Sequence, residues 1–320
     1  MIRLLIAICL LLAIPVASGM TVLNPPSNGR CIQGVTQPAP AAAAGFNCLV
    51  IYETWPSSSV IDGSDTRNPG FNWYTHNGDT QTPPGTVNAG GWAFGLIQPT
   101  PSGDWSFSTP GQVSMSPNGS TIGNYNGLPV MFMSCAQIGT GTGLVGTVFG
   151  PGFYADVQFI QFSTDSPFGT WNIAWGVPTT MLNGGVGSNW LVFEPDILEW
   201  FNGTGFDFAY HDWSGSGSTV NFNNSYGTPF LSPNPGDTVG LLQVPSAFNS
   251  GTNKVERYLN DVLVAHSTCT STGTALATCD GSTSGITLTD INTNQYCLAL
   301  AAGAGSTPGI FGKVQVWAPN

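Results

Sequence analysis

The chain has 320 residues, a formal net charge of −11 and a pI near 4.2, yet only 7% of its residues are charged, against about 25% in ordinary soluble domains. That balance, with no basic run anywhere, excludes nucleic acid and anionic membrane surfaces as partners. A disordered chain is excluded as well, because 41% apolar residues with 10 Trp and 18 Phe can bury a large core.

Residues 1–19, MIRLLIAICLLLAIPVASG, place one Arg before an apolar run that Pro15 breaks, and end on small residues. This is the pattern of a secretory signal cut after Ala17-Ser18-Gly19. The run is short for a bilayer span of about 20 residues, so the expectation is a secreted, extracellular protein with no membrane association after signal removal. Residues 20–47, with PAPAAAAG, read as an extended N-terminal segment. Cys9 leaves with the signal, and Cys31, Cys48, Cys135, Cys269, Cys279 and Cys297 remain. An even count in a secreted chain implies disulfides. Cys269 and Cys279 flank a Ser/Thr/Gly-rich turn and are expected to pair. Cys31–Cys48 would close the N-terminal segment, which leaves Cys135–Cys297; other connectivities stay open. No CxxC occurs and His is scarce, so no zinc site is expected. Sequons stand at Asn118, Asn202 and Asn223.

From residue 48 onward no apolar pattern of helical period is sustained. Short runs rich in Val, Ile, Phe, Tyr and Trp recur between clusters of Gly, Pro, Asn and Ser, the pattern of an all-β sandwich. The expected strands are Cys48–Trp55, Trp92–Ile97, Leu128–Ser134, Phe153–Phe162, Thr170–Gly176, Trp190–Phe201, Phe206–Asp212, Thr238–Val244, Lys254–Leu259, Val262–His266, Tyr296–Ala302 and Lys313–Trp317. Asn260-Asp261, between two apolar runs, is expected to form a tight hairpin. GTGTG at 139–143 reads as turns, since no strand–helix unit follows to make it a phosphate loop. With no repeat and no internal linker, 48–320 reads as one domain.

The chain has four glutamates, Glu53, Glu194, Glu199 and Glu256, and two of them fall in LVFEPDILEW (191–200) with Asp196 between. On a strand, side chains alternate faces, so Glu194 and Asp196 share one. A β-bulge between Asp196 and Glu199 would return Glu199 to that face, and Pro195, which has no N–H, makes local irregularity expected. Two carboxyl groups about 5 Å apart on one face are what a retaining glycoside hydrolase needs, one as nucleophile and one as acid/base. The charge of the first holds the second protonated. The same triplet also suits a Ca²⁺ site or a solvated outer face, though no metal or other cofactor is indicated. Glu53 reads as a rim or turn carboxylate.

The hexapeptide EPDILE resembles the E-[apolar]-D-x-x-E signature of glycoside hydrolase family 16, the laminarinase-like members of the concanavalin A-like jelly rolls. CLVIYETW, MSCAQIGTGTGLVGTVFGPGFYADVQF, TWNIAWGVP, KVERYLNDVLV and PGIFGKVQVWAP are similar to other segments of that family, in family order from about 48 to 318. The resemblance implies a β-jelly-roll sandwich of two antiparallel sheets with a concave substrate cleft. It implies Glu194 as nucleophile, Asp196 as assisting carboxylate and Glu199 as acid/base. Trp171 and Trp175 match the family's aromatic pair beside the cleft. Trp200, His211 and Trp213 are further candidates for substrate contact, with core or structural roles as the alternative for each. Pro195 stands where the family has an aliphatic residue, and the family's strand Arg is replaced near Val157.

The expected activity is endo-acting, retaining hydrolysis of a β-linked polysaccharide by a monomer. Sulfated polymers need Arg or Lys, and the mature chain has only Arg30, Arg67, Lys254, Arg257 and Lys313. None lies in the 150–215 stretch, so a neutral glucan of β-1,3 or mixed linkage is expected, unless Arg67 or Arg257 enters the cleft from a distance. The alternatives are a transglycosylase and a non-catalytic carbohydrate-binding or cell-envelope protein on the same fold.

Overall fold

The computed structural model describes residues 31–64, 66–75, 105–115, 130–138, 143–162, 170–179, 190–201, 205–216, 219–231, 233–249, 252–270, 279–280, 294–302 and 307–320; within these, the side chains at 130–131, 170–173, 190–192, 199–201, 205–216, 219–231, 252, 265–270 and 279–280 lie outside the description. The strands, in chain order, are β1 Cys48–Glu53, β2 Ile61–Asp62, β3 Trp73–Tyr74, β4 Trp105–Ser106, β5 Val113–Met115, β6 Val130–Met133, β7 Cys135–Ile138, β8 Gly143–Gly146, β9 Phe153–Gln161, β10 Thr170–Pro178, β11 Trp190–Phe201, β12 Gly205–Ser216, β13 Thr219–Leu231, β14 Thr238–Val244, β15 Thr252–Leu259, β16 Val262–Thr270, β17 Cys279–Asp280, β18 Tyr296–Ala302 and β19 Gly309–Ala318. They form a jelly-roll sandwich. One sheet runs β17-β16-β15-β14-β9-β19-β5-β4, with β1 also on β19; the other runs β13-β12-β11-β10-β18-β6-β3-β2; β7 and β8 make a small hairpin. Pairing is antiparallel throughout, apart from the short parallel contact of β2 with β3.

Period-two alternation builds the core. In β9, Ala155, Val157 and Phe159 face inward, and Val314 and Val316 of β19 and Val239 and Leu241 of β14 join them. The second sheet answers with Phe132, Ala174, Phe193, Ile197, Leu198, Leu298 and Leu300. Fully burying a Val, Leu, Ile or Phe stabilises the fold by about 1.5–3 kcal/mol each, so this layer dominates folding. A disulfide from Cys135 to Cys297 joins the β7–β8 hairpin to β18.

The outer face of the first sheet has a smaller core of its own. Leu49, Tyr154, Leu242, Tyr258 and Trp317 line it, and Ala41 and Phe46 of the N-terminal segment pack on top. The expectation of an extended segment over 20–47 is corrected at residues 39–43. Pro38 precedes a one-turn helix, α1 (Ala39–Ala43), with Pro40 inside the first turn, and the segment is tied down by the Cys31–Cys48 disulfide. Pro near a helix start and an Ala run favour helix once one face has something to pack against. Gly240 leaves room for Tyr154, whose hydroxyl lies 2.5 Å from where a Cβ would stand.

Expected strands at 190–201, 238–244 and 296–302 have the observed limits. The Asn260-Asp261 hairpin is present, with both residues at positive φ (51° and 63°). Trp92–Ile97, the signal, Arg30 and the sequons at Asn118 and Asn202 lie outside the described residues, and so does most of GTGTG. Cys269 and Cys279 are backbone partners across β16 and β17, with side chains outside the description. β13 was not expected; its Asn-Asn-Ser-Tyr-Gly centre carries no apolar alternation, and pairing with β12 along its length makes it a strand.

Glu53 is a structural carboxylate. It is 2% exposed and accepts from the backbone N–H groups of Thr54 (2.9 Å) and Trp55 (2.6 Å), from Asn72 Nδ2 (2.9 Å) and from Trp73 Nε1 (3.1 Å). These bonds hold Trp55 at φ 52°, where its ring stacks on Trp73 at 5.2 Å and its Nε1 donates to the Gly312 carbonyl. Removing the acceptor strands buried donors, each worth about 1–3 kcal/mol. Glu53→Ala is therefore expected to destabilise the protein by about 3 kcal/mol or more, read from urea unfolding midpoints. A loss below about 1 kcal/mol would contradict this role.

Candidate active site

β11 lies between β10 and β12 in the second sheet. Phe193 and Ile197 belong to the sandwich core, and the Pro195 ring packs on the same side, 2.9 Å from where a Cβ of Gly176 would stand. Glu194 and Asp196 therefore face the opposite side. Leu198 is also in the core, so alternation slips at Ile197–Leu198. The pairing shows the same slip. Pro195 is opposite Tyr210 and Glu199 opposite Asp207, so four steps along β11 meet three along β12. Against β10, Asp196 pairs with Trp175 and Leu198 with Ala174, which leaves Ile197 as the extra residue. This is a β-bulge, and it sets backbone position 199 in register with the face of Glu194 and Asp196. The Glu199 side chain itself lies outside those described.

Pairing defines what stands beside each acid. Glu194 is the direct backbone partner of His211, and Glu199 lies between Asn172 of β10 and Asp207 of β12. Directly opposite residues of an antiparallel pair have Cβ atoms about 4.5–5.5 Å apart. Trp171 and Trp200 are partners of each other, and Trp213 is the partner of Val192; the side chains of Trp171, Trp200, His211 and Trp213 lie outside the description. Asn172 and Asp207 were not singled out from the sequence. Counting period two along TWNIAW and FDFAYH from the acids would have suggested them, had the compensating irregularity at Ile173 been visible.

Glu194 and Asp196 are 0% exposed, and so is Trp175. The two acids are thus shielded from solvent, and a solvated outer face is ruled out for them. Trp175 offers no open ring for stacking; its buried Nε1 has no hydrogen-bond partner. Among the described residues no group of three His, Cys, Asp or Glu is placed to hold a metal ion. The strand is braced from the next segment, where Asn294 Nδ2 donates to the Phe193 carbonyl at 3.4 Å.

The four described cations are placed elsewhere. Arg67 donates to the Gln137 carbonyl at 3.1 Å. Arg257 is 1% exposed on β15, between the inward residues Val255 and Leu259, which puts it inside the sandwich. Lys254 pairs with Glu256 at 3.1 Å and Lys313 lies 4.0 Å from Asp156, both on the first sheet.

No known family model matches the sequence, and no curated protein matches it. Solved structures resemble it more distantly. A GlcNAcα1-4Gal-releasing endo-β-galactosidase from Clostridium perfringens is 12% identical with a TM-score of 0.46; the match covers 91% of this chain and 65% of that enzyme's length. The CBM2 module of the evolved Dit of Lactobacillus casei BL23 phage J-1 is 10% identical, TM-score 0.41, covering 85% of this chain and 96% of that one. A β-1,3-1,4-glucanase (lichenase) derived from a mouse hindgut metagenome is 10% identical, TM-score 0.39, covering 84% and 99%. At these identities none of them assigns a reaction to this chain.

Gly176 tests how tightly the acid strand is held. A Cβ there would stand 2.9 Å from Pro195 Cγ, 3.3 Å from its Cδ and 3.3 Å from Tyr296 Cδ1, all parts of stiff rings. Overpacking of this kind costs about 1–3 kcal/mol. Gly176→Ala is expected to lower the thermal midpoint by several degrees, and Pro195→Ala in the same chain, by removing the ring, to restore part of it. An unchanged midpoint in the single variant would show that β10 and β11 can separate freely.

Proposed function

We propose that this protein is a secreted, retaining, endo-acting glycoside hydrolase that cleaves a neutral β-linked polysaccharide, with β-1,3 or mixed-linkage glucan as substrate. The observation that carries the reading is EPDILE on a bulged central strand, with Glu194 and Asp196 buried on the face away from the core. Burying two carboxylates side by side carries a desolvation cost, and groups held against such a cost are characteristically functional.

In this reading Glu194 attacks the anomeric carbon and Glu199 protonates the departing glycosidic oxygen. Glu199 then takes a proton from water as that water displaces Glu194 from the glycosyl-enzyme ester. Asp196, between them, shares a proton with Glu194 and tunes its charge. The His211 position, directly across from Glu194, suits a group that orients the nucleophile. The placement of Arg67, Arg257, Lys254 and Lys313 supports a neutral substrate, because none of the four has a described contact with Glu194 or Asp196 and a sulfated chain would meet a protein of net charge −11. Secretion is supported by the leader and by the two disulfides.

The test is incubation with laminarin, mixed-linkage β-glucan, agarose and carrageenan, with products followed by size and by the anomeric configuration of newly released ends. Turnover of a neutral glucan with retained β configuration is expected. Glu194→Gln and Glu199→Gln should each lower it by at least about a thousandfold, as loss of a nucleophile or acid/base does, while the fold survives. Glucan binding without cleavage would make this a binding protein, and faster turnover of carrageenan would overturn the substrate assignment. Transfer to added oligosaccharide in preference to water would make it a transglycosylase.

A further inference from the structure

Another buried acid lies away from β11, on β9 and on the outer face of the first sheet. Asp156 is 1% exposed. Its Oδ2 accepts from Gln315 Nε2 at 2.6 Å, and Trp317 Nε1 in turn donates to Gln315 Oε1 at 3.2 Å. Its Oδ1 is buried with no hydrogen-bond partner and lies 4.0 Å from Lys313 Nζ. A buried carboxylate needs several donors or a close cation to remain ionised. Here it has one neutral amide and one lysine beyond hydrogen-bond reach.

The network touches the N-terminal segment. Trp317 and Tyr154 form one small core with Ala41 and Phe46 of that segment. Tyr52, Gln315, Asp156, Gly240 and Tyr258 make a single row of backbone partners across five strands. The titratable and charged groups facing Asp156 can be named element by element. β19 brings Lys313. β9 brings Tyr154, whose hydroxyl donates to Asp261 Oδ1 of the β15–β16 turn at 3.1 Å. β15 brings Tyr258, which donates to Glu256 Oε2 at 2.6 Å, and Glu256 is paired with Lys254. β1 brings Tyr52, β14 brings only Gly240 and Leu242, and residues 31–47 carry no charge at all. Lys313 is thus the one described cation at the carboxyl, and Asp261 opposes its ionisation.

We propose that Asp156 is a proton-controlled clasp: as a neutral acid it holds β9, β19 and the N-terminal segment together, and on ionisation it loosens the seat of that segment. Desolvation raises the carboxyl from 3.8 to about 7, against the smaller opposing pull of Lys313 and Gln315. The folded state therefore keeps a proton that the unfolded chain releases near pH 4. Stability from this group is fully present below that value, falls as pH rises, and is lost by about pH 7. This inference does not depend on the proposed hydrolysis.

The experiment compares the intact, disulfide-bonded protein with Asp156→Asn and Lys313→Gln between pH 4 and 8. Unfolding constants come from urea titration. Local opening is read from amide hydrogen exchange at Ala44 and Phe46, whose N–H groups donate to the Pro40 and Ala41 carbonyls, corrected for intrinsic rates. Relative to Asp156→Asn, the wild-type unfolding constant is expected to rise about tenfold per pH unit in the middle of the window, and about fiftyfold from pH 5 to 7. Exchange at Ala44 and Phe46 should quicken with pH in wild type only. Lys313→Gln should move the upper end of the window to higher pH, because the cation that favours the carboxylate is gone; a purely structural lysine would not do this. Parallel profiles for wild type and Asp156→Asn overturn the proposal. Should Asp156→Asn not fold, a Lys313→Gln window identical to that of wild type overturns it.

Discussion

A carboxylate taken out of water must find its compensation inside the protein, and this chain has almost no cations with which to provide it. Asp62, Glu53, Asp156, Glu194 and Asp196 are all at most 2% exposed, and each is accommodated in its own way. Asp62 accepts from the backbone N–H groups of Thr66 and Arg67 and from the Thr66 hydroxyl. Glu53 gathers four N–H donors and organises the turn after β1. Asp156 has too few donors and turns to a proton. Glu194 and Asp196 stand together on one strand face, turned away from the sandwich core.

The acid strand depends in turn on register. A one-residue slip in a sheet moves every side chain to the other face. Without the extra residue at Ile197, position 199 would fall in register with the core. The bulge is held from both sides: β10 absorbs it with an irregularity of its own at Ile173, while β12 keeps the offset. Pro195 contributes by withholding a ladder donor and by seating its ring against Gly176, where no larger residue fits. A residue that departs from the resembled family's aliphatic pattern thus has a definite packing partner.

The long strands were legible because their apolar runs are bounded by Gly, Pro and Asn and their inward residues repeat every second position, as in Val239–Leu241 or Val314–Val316. The bulge was legible for a different reason: three acids at EPDILE spacing share a face only if one residue is extra. What could not be read is whatever depends on the opposite partner. β13 is polar at its centre and becomes a strand by pairing with β12. α1 is too short to declare a period and forms because Ala41 and Phe46 find an aromatic floor. The enclosure of Glu194, Asp196 and Trp175 is of the same kind, since the number of neighbours above a strand is not written in the strand. Asp156 shows this most plainly; as FYADVQF it reads as a polar outward residue, and only Gln315, Trp317 and the N-terminal segment make it buried.

The scarcity of charge also bears on what the protein can approach. A surface of Gly, Ser, Thr and Asn with a net charge of −11 has weak short-range attraction for ions but a long-range field that repels polyanions. Arg67, Arg257, Lys254 and Lys313 are each directed to an internal carbonyl, the sandwich interior or a neighbouring acid, so none is left to invert that field locally at β11. On the function proposed above, a polymer that reaches this face would be selected first by having no charge of its own. Neutral, hydroxyl-rich chains, the substrate class proposed above, meet that condition. That restriction comes from the charge balance of the chain alone and is not drawn from the distant structural relatives.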